Sequence, residues 1–432
     1  MLNGARLRRL GLTALILAGV GPEILRSQNA TPQFRAGVDL VRVEVQVVDS
    51  NGAPVAGIPA SSFDVRIDGR RRKVTSADLV REATTSATVR PFASDGPRAR
   101  NIWPDDAAAG GAGRTFVLAF DESTLSSGDG ARAINAGREF IDRLSANDAV
   151  GVVGLPHGVV QSPTKDRRAM NAALARIGGH SSMNSNSFHL SASEVVDIAV
   201  DVDQAQNAAL TAGRGAAGRG LVVAPQSVLS QVQTRECRST TDTMCLAQLV
   251  IEAESQERDM EERAFETFAG LDRLLRILAE SPGRKTVVLV SGGLPVSDRW
   301  LQDGGAIRDL GRAAALASST VYAIHIDTGF GTTYSAESRT SRPTFSVGRE
   351  REVQQRLLAD FALTSGGALF SAPTDSGQSG LARVLLETSA VYLLGVVPET
   401  RDFDGKPHEL KVSVDQKGVT LRSLRYVVLR KN

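Results

Sequence analysis

The sequence predicts an α/β fold in which a doubly wound, mainly parallel sheet is flanked by β-sandwich-like segments from the N- and C-terminal regions. In the middle of the chain, apolar runs such as 115–120 (TFVLAF) and 285–290 (KTVVLV) alternate with segments whose apolar residues recur every three to four positions. Buried strands that alternate with amphipathic helices are typical of a parallel sheet covered on both faces. Near both ends, apolar and polar residues alternate instead, which predicts half-buried strands.

The N-terminus predicts an exported protein. Arg6, Arg8 and Arg9 precede a twelve-residue apolar run at 10–21, which is the arrangement of a secretory signal. A helix that crosses a bilayer needs ~20 apolar residues. We therefore predict a signal peptide at 1–27, cleaved before Gln28, and a periplasmic or secreted protein. A retained N-terminal anchor is the alternative.

The charge of the predicted mature chain argues against a nucleic-acid-binding protein. The 432 residues carry a formal net charge of +2. Residues 1–27 hold four arginines and one glutamate, so their removal leaves a net charge of −1. Nucleic-acid binders usually show a strong basic excess or a basic stripe. The one dense basic run, 70–73 (RRRK), follows Asp68-Gly69, and we interpret it as a solvated hairpin turn.

The first β-rich region is predicted at 36–85, because alternating strands at 39–49 and 63–67 are separated by turn residues. A linker at 86–113, rich in Thr, Ala, Pro, Asp and Gly, follows it. The α/β domain is predicted at 114–390 and a C-terminal β segment at 391–430. We expect the two terminal β regions to join or adjoin one sandwich, because domain termini are often close together.

Within the α/β domain, the apolar runs and the helical spacing place each element. The predicted strands lie at 115–120, 150–155, 285–293, 320–327 and 368–372, and the predicted helices at about 131–144, 166–177, 300–317, 350–364 and 379–388.

An insertion at about 180–263 interrupts this rhythm, and it ends in a charged helix (252–263) that continues to 278. The apolar residues of that helix, Phe265, Phe268, Leu271, Leu274, Leu275 and Leu278, are expected to pack on the sheet. A membrane or partner-helix contact is the alternative. Cys237 and Cys245, both in the insertion, are expected to form a disulfide in an oxidising compartment, with reactive thiols as the alternative.

Several stretches together resemble the von Willebrand factor A (VWA)-related family best known from acidobacteria. In chain order they are VRVEVQVVDSNGAPVAGIPASSFDVRIDG, FVLAFDESTLS, RLSANDAVGVVG, GRKTVVLVSGGLP, VYAIHID, the TSGG at 364–367, and YLLGVVPETRDFDGKPHELKVSV followed by VTLRSLRYVV. The similarity covers roughly residues 35–430. It implies a VWA (Rossmann-like) sheet in an exported protein. In better-known VWA domains, the C-terminal edge of that sheet carries a metal-ion-dependent adhesion site.

That adhesion site usually begins with Asp-x-Ser-x-Ser after the first strand. Asp121 and Ser123 match this motif, but Leu125 stands at the place of the second serine and Ser126 lies one residue later. Ser291 follows the strand after which the family usually has an Asp. The resemblance thus implies a degenerate Mg²⁺ site with Asp121, Ser123, Ser126 and Ser291 as ligands, and no Thr of the insertion can be assigned to it. Alternatively, Asp121 caps the following turn without a metal.

With or without a metal, ligands of open α/β sheets bind beyond the carboxyl ends of the strands. We therefore expect a binding edge formed by Asp121, Glu122, Ser123, Gly292, Gly293 and Asp327. The expected function is a non-catalytic protein-binding or adhesion module of the cell envelope, with an unidentified protein partner, no nucleic acid and no transmembrane segment after signal cleavage. The alternatives are an envelope assembly protein with an inert edge and, third, an exported hydrolase.

Catalytic motifs are weak or missing in the sequence. The G-x-G-x-x-G at 213–218 follows a helical pattern and precedes no helix start, so it lacks a phosphate-binding context. There is no P-loop, G-x-S-x-G or H-E-x-x-H motif, and the five histidines are scattered. His325 lies in an apolar strand and is expected to be a satisfied core residue. Asp121 and Asp327 could share acid–base chemistry only if they are close, so we predict that the protein is not an enzyme.

Overall fold

A six-stranded sheet with helices on both faces forms the centre of the structure, a computed structural model that describes residues 40–81, 113–181, 186–211, 224–297, 300, 304–327, 344–372 and 377–430. The strands are β1 (Val41–Val48), β2 (Phe63–Ile67), β3 (Arg70–Arg81), β4 (Thr115–Asp121), β5 (Ala149–Leu155), β6 (Val160–Thr164), β7 (Lys285–Ser291), β8 (Ser319–Ile326), β9 (Gly366–Ala372), β10 (Ala390–Val397), β11 (Asp404–Val414), β12 (Thr420–Arg422) and β13 (Tyr426–Arg430). The helices are α1 (Ser127–Asp142), α2 (Arg167–Leu174), α3 (Ala192–Thr211), α4 (Val228–Glu236), α5 (Thr243–Ala279), α6 (Gly305–Leu316), α7 (Thr344–Thr364) and α8 (Gln378–Glu387).

The central sheet has the strand order β6-β5-β4-β7-β8-β9. Its neighbouring strands pair in parallel, except for β6, which pairs antiparallel with β5. One face packs against α1, α2 and α8, and the other against α5, α6 and α7. The predicted mixed α/β architecture with a mainly parallel sheet is therefore confirmed. The antiparallel edge strand β6 was not predicted.

Strand β4 shows why a continuous apolar run forms a central strand. Phe116, Leu118 and Phe120 enter the core on the α1 face, while Val117 and Ala119 enter the core on the α5 face. Both faces are thus buried, and full burial of one large apolar side chain stabilises the fold by roughly 1.5–3 kcal/mol. The same alternation directs Asp121, the last residue of β4, towards α5.

The chain leaves β4 for β5 on one side and returns to β7 on the other side of β4. The carboxyl ends of β4 and β7 are therefore the switch point of the sheet. Loops that diverge at such a point leave a crevice, which is where open α/β sheets bind ligands.

The second sheet is antiparallel and has seven strands in the order β12-β1-β10-β3-β2-β11-β13. It curls around its own core, to which strands from both ends of the chain contribute. Strand β1 pairs with β10 and β12, and β2 pairs with β3 and β11. The N-terminal and C-terminal β regions thus share one sheet.

The interpretation of 70–73 as a solvated hairpin turn holds only in part, because Arg70, Arg71 and Lys73 are exposed but lie in a strand, and Arg72 is buried. The turn consists of Asp68 and Gly69, both with positive φ (49° and 76°), and β3 begins directly after it. Arg72 is buried within the sheet. Its guanidinium donates from Nε and Nη2 to the two carboxylate oxygens of Asp402, at 2.8 and 2.7 Å. For Arg72 alone, a buried partner on a distant segment takes the place of the expected solvent.

The insertion is mainly helical and forms a further core from α3, α4 and the first half of α5, to which Val353 of α7 also contributes. Helix α5 runs unbroken for 37 residues, and its second half buries Phe268, Leu271 and Leu275 against the central sheet. Phe265, which we expected on the same apolar face, is exposed. The predicted disulfide between Cys237 and Cys245 is confirmed, and it joins the end of α4 to the first turn of α5.

Three other predictions concern segments outside the described residues. The signal peptide at 1–27, nearly all of the linker at 86–113 and the glycine-rich 213–218 are among them. None of the helices in the described part of the chain is long and apolar enough to span a bilayer.

Candidate functional site

Asp121 is the last residue of β4 and is fully buried. Three hydroxyl groups from three different parts of the fold donate hydrogen bonds to its carboxylate. Ser123 donates to Oδ1 at 2.7 Å and Ser291, at the end of β7, donates to Oδ2 at 2.9 Å. Thr267, on the buried side of α5, donates to Oδ1 at 3.2 Å. The switch point of the sheet is thus marked by one carboxylate inside a cage of hydroxyls.

Thr124 joins the two loops that border this carboxylate. Its Oγ1 lies 3.1 Å from the Ser291 hydroxyl and accepts a hydrogen bond of 2.9 Å from the backbone N–H of Gly292. A Cβ on Gly292 would lie 2.4 Å from the Thr124 carbonyl oxygen, so only glycine permits this close approach. We call Asp121, Ser123, Thr124, Thr267 and Ser291 the Asp121 cluster.

The electrostatics of the Asp121 cluster are unusual because the carboxylate has no basic counterpart. Burial raises the pKa of Asp121, and the hydrogen bonds from the surrounding hydroxyls oppose that rise only in part. Within the described part of the chain, no lysine, arginine or histidine pairs with it. A buried carboxylate that lacks a positive partner tends to keep its proton or to attract a cation. Ser123 and Thr124 are only half-buried, so one side of the cluster borders the surface.

Three of the four predicted metal ligands come together in this cluster, namely Asp121, Ser123 and Ser291. The fourth, Ser126, does not join them. Its hydroxyl accepts from the backbone N–H of Asp129 at 3.1 Å and donates to the Asp129 carboxylate at 2.6 Å, so it caps the start of α1. A serine cap of this kind is a local stabilising device of the helix.

Thr267 and Thr124 are the members of the cluster that sequence reasoning missed. Thr267 lies on the buried side of α5, between the exposed Phe265 and the buried Phe268. A single small polar residue in an amphipathic helix does not indicate a site from sequence alone. Thr124 directly follows Ser123 in the loop, at a position where the Asp-x-Ser-x-Ser motif specifies no ligand.

The residue types of the Asp121 cluster fit a small hard cation, since Mg²⁺ prefers oxygen ligands. One carboxylate and four hydroxyls supply oxygen only, and the hydroxyls of Ser123, Thr267 and Ser291 lie around the Asp121 carboxylate. In the described ranges there is no group of three or more His, Cys, Asp or Glu side chains that could hold a metal. Any cation at this edge would therefore rely on the hydroxyls as well as on Asp121.

Glu122 points to the opposite side of the sheet and has a different environment. Its Oε1 accepts a hydrogen bond of 2.7 Å from the backbone N–H of Gly178. A Cβ on Gly154 or Gly158 would lie 2.3 or 1.9 Å from its Oε2. Glu122 is therefore buried among the segments that carry Gly154, Gly158 and Gly178. It contributes little accessible surface to the predicted binding edge.

His325 and Asp327 occupy the next part of the edge. His325 is fully buried, with Nδ1 2.9 Å from the amide nitrogen of Gln355 and Nε2 3.2 Å from Oε1 of Gln354. Burial lowers the pKa of His325, so the neutral ring satisfied by two amides matches our expectation of a core histidine. Asp327 accepts two hydrogen bonds from Arg351, at 2.9 and 2.8 Å. That ion pair occupies Asp327, so Asp121 and Asp327 are not two free carboxylates that could share acid–base work.

Comparison with known proteins leaves the family open. No protein-family model matches this chain, and no curated protein matches it. Among solved structures, the chain is similar to the conserved hypothetical protein BatB from Bacteroides thetaiotaomicron, with 13% sequence identity and a TM-score of 0.28. The match covers 64% of this chain and 98% of that chain. A likeness at this level does not establish a shared fold.

Proposed function

We propose that this chain is an exported, VWA-like binding protein that recognises a protein partner through the Asp121 cluster with the help of a bound divalent cation. The observation that carries the proposal is the fully buried Asp121 carboxylate, which receives hydroxyl donors from β7, from α5 and from its own loop but has no basic partner in the described residues. Such a group is unfavourable as a bare anion, and cation binding would relieve it.

Each member of the cluster has a role in this proposal. Asp121 supplies one negative charge. Ser123, Thr267 and Ser291 supply uncharged oxygen ligands, so the positive charge of the divalent ion is only partly neutralised. The net positive charge that remains suits an acidic group of the partner. When bound, the cation would offer that group an open coordination position. Thr124 positions the loop after β7 through the N–H of Gly292.

The direct test is a calorimetric titration of the purified mature protein with Mg²⁺ and Mn²⁺. We expect saturable binding by the wild type and its loss in Asp121→Asn and Ser291→Ala. Ser126→Ala is the matched control, because its hydroxyl caps α1 and does not touch Asp121, so metal binding should survive. A wild-type protein without measurable binding, or Asp121→Asn with unchanged binding, would reject the metal site.

The partner is tested separately by capture from an envelope extract, with the protein immobilised in the presence of Mg²⁺. A specific protein retained by the wild type should be lost from Asp121→Ala and from the wild type in EDTA. Equal capture by all three samples would reject the assignment of recognition to this edge.

The assembly alternative has less physical support. Strands β1, β2 and β3 all pair with neighbours inside the curled sheet, so part of their backbone is already engaged within the molecule. The two edge strands of this sheet are the short strands β12 and β13. A hydrolase is the third candidate, and of the two carboxylates named for it, Asp327 is already paired with Arg351.

A further inference from the structure

The outer surface of α5 presents large apolar side chains to solvent. Met244, Ile251 and Phe265 are 69, 64 and 65% exposed. They are separated by 7 and 14 residues, and seven residues are close to two helical turns, so the three side chains lie in one stripe along the helix, with the exposed Arg258 between Ile251 and Phe265. Isolated exposed apolar residues are ordinary, so these three side chains point to a partner only together with the groove beside them.

A groove runs beside this stripe. It has a volume of about 640 Å³ and lies between α5 and the turn that carries Ser187 and Phe188. Ile251 lines the groove together with the half-buried Phe188, and Glu252 and Asp259 line it with carboxylates. The turn is held to the helix by a hydrogen bond of 3.2 Å from the Phe188 N–H to Glu252. The groove therefore combines apolar contacts with negative charge.

The charge around the groove selects the kind of partner. Residues 252–263 contain six carboxylates and two arginines, a net charge of −4. Burial, together with the neighbouring Glu261 and Glu254, raises the pKa of Glu257, as expected for crowded negative charge. An anionic membrane surface would be repelled, whereas a segment with apolar and basic side chains would be attracted.

We propose that the stripe and the groove on α5 form a docking surface for a basic amphipathic helix of a partner protein. The apolar face of such a helix would cover Ile251 and Phe265, and its lysines or arginines would face the carboxylates at 252–262. This is the arrangement of an amphipathic helix in a groove. The surface is distinct from the Asp121 cluster, although both involve α5, because Thr267 points into the core and Phe265 points out.

The test measures the binding of a fluorescent amphipathic Leu–Lys peptide of about four helical turns to the full mature protein by anisotropy. A Leu–Glu peptide with the same apolar positions is the charge control. We expect the Leu–Lys peptide to bind and the Leu–Glu peptide not to bind. Ile251→Ser and Phe265→Ser should each weaken binding about tenfold or more. Val160→Ser, an equally exposed apolar site on β6, should leave it unchanged.

Several results would overturn the proposal. They are equal binding of both peptides, unchanged binding by Ile251→Ser and Phe265→Ser, binding of anionic lipid vesicles that these variants abolish, and a dimer of the wild type that Ile251→Ser dissociates. The last two would assign the surface to a membrane or to a second copy of the chain. Peptide binding that persists in Asp121→Asn, while metal binding is lost, separates this inference from the proposed function.

Discussion

The hydroxyl of Ser291 at the end of β7 donates a hydrogen bond of 2.9 Å to the carboxylate of Asp121 at the end of β4. The two strands are neighbours in the sheet, but the chain between them includes β5, β6 and the whole insertion. The hydrogen bond therefore joins the two strands whose carboxyl ends form the switch point of the sheet. Burial also raises the pKa of Asp121. A carboxyl group that can gain or lose a proton therefore lies at the sheet edge where a ligand is expected.

Asp121→Asn should stabilise the metal-free protein at neutral pH. The folded-state pKa of Asp121 is raised above the unfolded value of 3.8, so the contribution of this group is most favourable below that value and is lost as the pH rises through the folded pKa. Each unit of the rise corresponds to about 1.4 kcal/mol. Asparagine keeps the shape and removes the charge. Urea denaturation in EDTA at acidic and neutral pH would measure the effect.

The contrast between the two pH values is the control for that measurement. The advantage of the asparagine variant should shrink as the pH falls, because the wild-type carboxyl is then protonated as well. A variant that is less stable than the wild type at neutral pH in EDTA would contradict the raised pKa.

The affinity for Mg²⁺ should increase with pH and its binding should release protons. A carboxyl with a raised pKa retains protons at a pH where an exposed aspartate has lost them, so the proton and the metal compete for Asp121. Calorimetry in two buffers of different ionisation enthalpy gives the number of protons released. Identical heats in both buffers, with clear metal binding, would show that Asp121 is already ionised in the metal-free protein.

Much of the fold could be predicted from local patterns, because β4 and β7 are continuous apolar runs and each ends in a polar residue that marks the sheet edge. Distant pairing was the part that local patterns could not reveal. Thr267 reaches Asp121 across 146 residues, and only the path of α5 brings it there. Likewise, Arg72 meets Asp402 across 330 residues, and an arginine beside a turn carries no sign of such a partner.

Arg72→Met should destabilise the protein by about 3–5 kcal/mol, because it leaves the buried Asp402 carboxylate without its bidentate partner. Arg66→Met is the control, since its ion pair with Asp64 is exposed and should contribute less than about 1 kcal/mol. Chemical denaturation of the two variants provides the comparison. If Arg72→Met cost no more than Arg66→Met, the pair would not be buried in solution. The further change Asp402→Leu, added to Arg72→Met, should recover part of the loss by removing the unpaired charge.

In the wild type we expect the free energy of unfolding to rise with pH in the alkaline range, and Lys285→Met should abolish this rise. Lys285 is buried at the start of β7, its Nζ donates to the carbonyl of Ala317 at 3.0 Å, and burial lowers its pKa from 10.5 to about 8. Between these values the unfolded chain binds a proton that the folded chain has released, so the free energy of unfolding rises with pH. The full gain amounts to about 3 kcal/mol at most. Denaturation curves should show this slope in the wild type and in Lys411→Met, whose lysine is exposed, and lose it in Lys285→Met. Equal slopes in all three proteins would mean that Lys285 keeps its proton in the folded state.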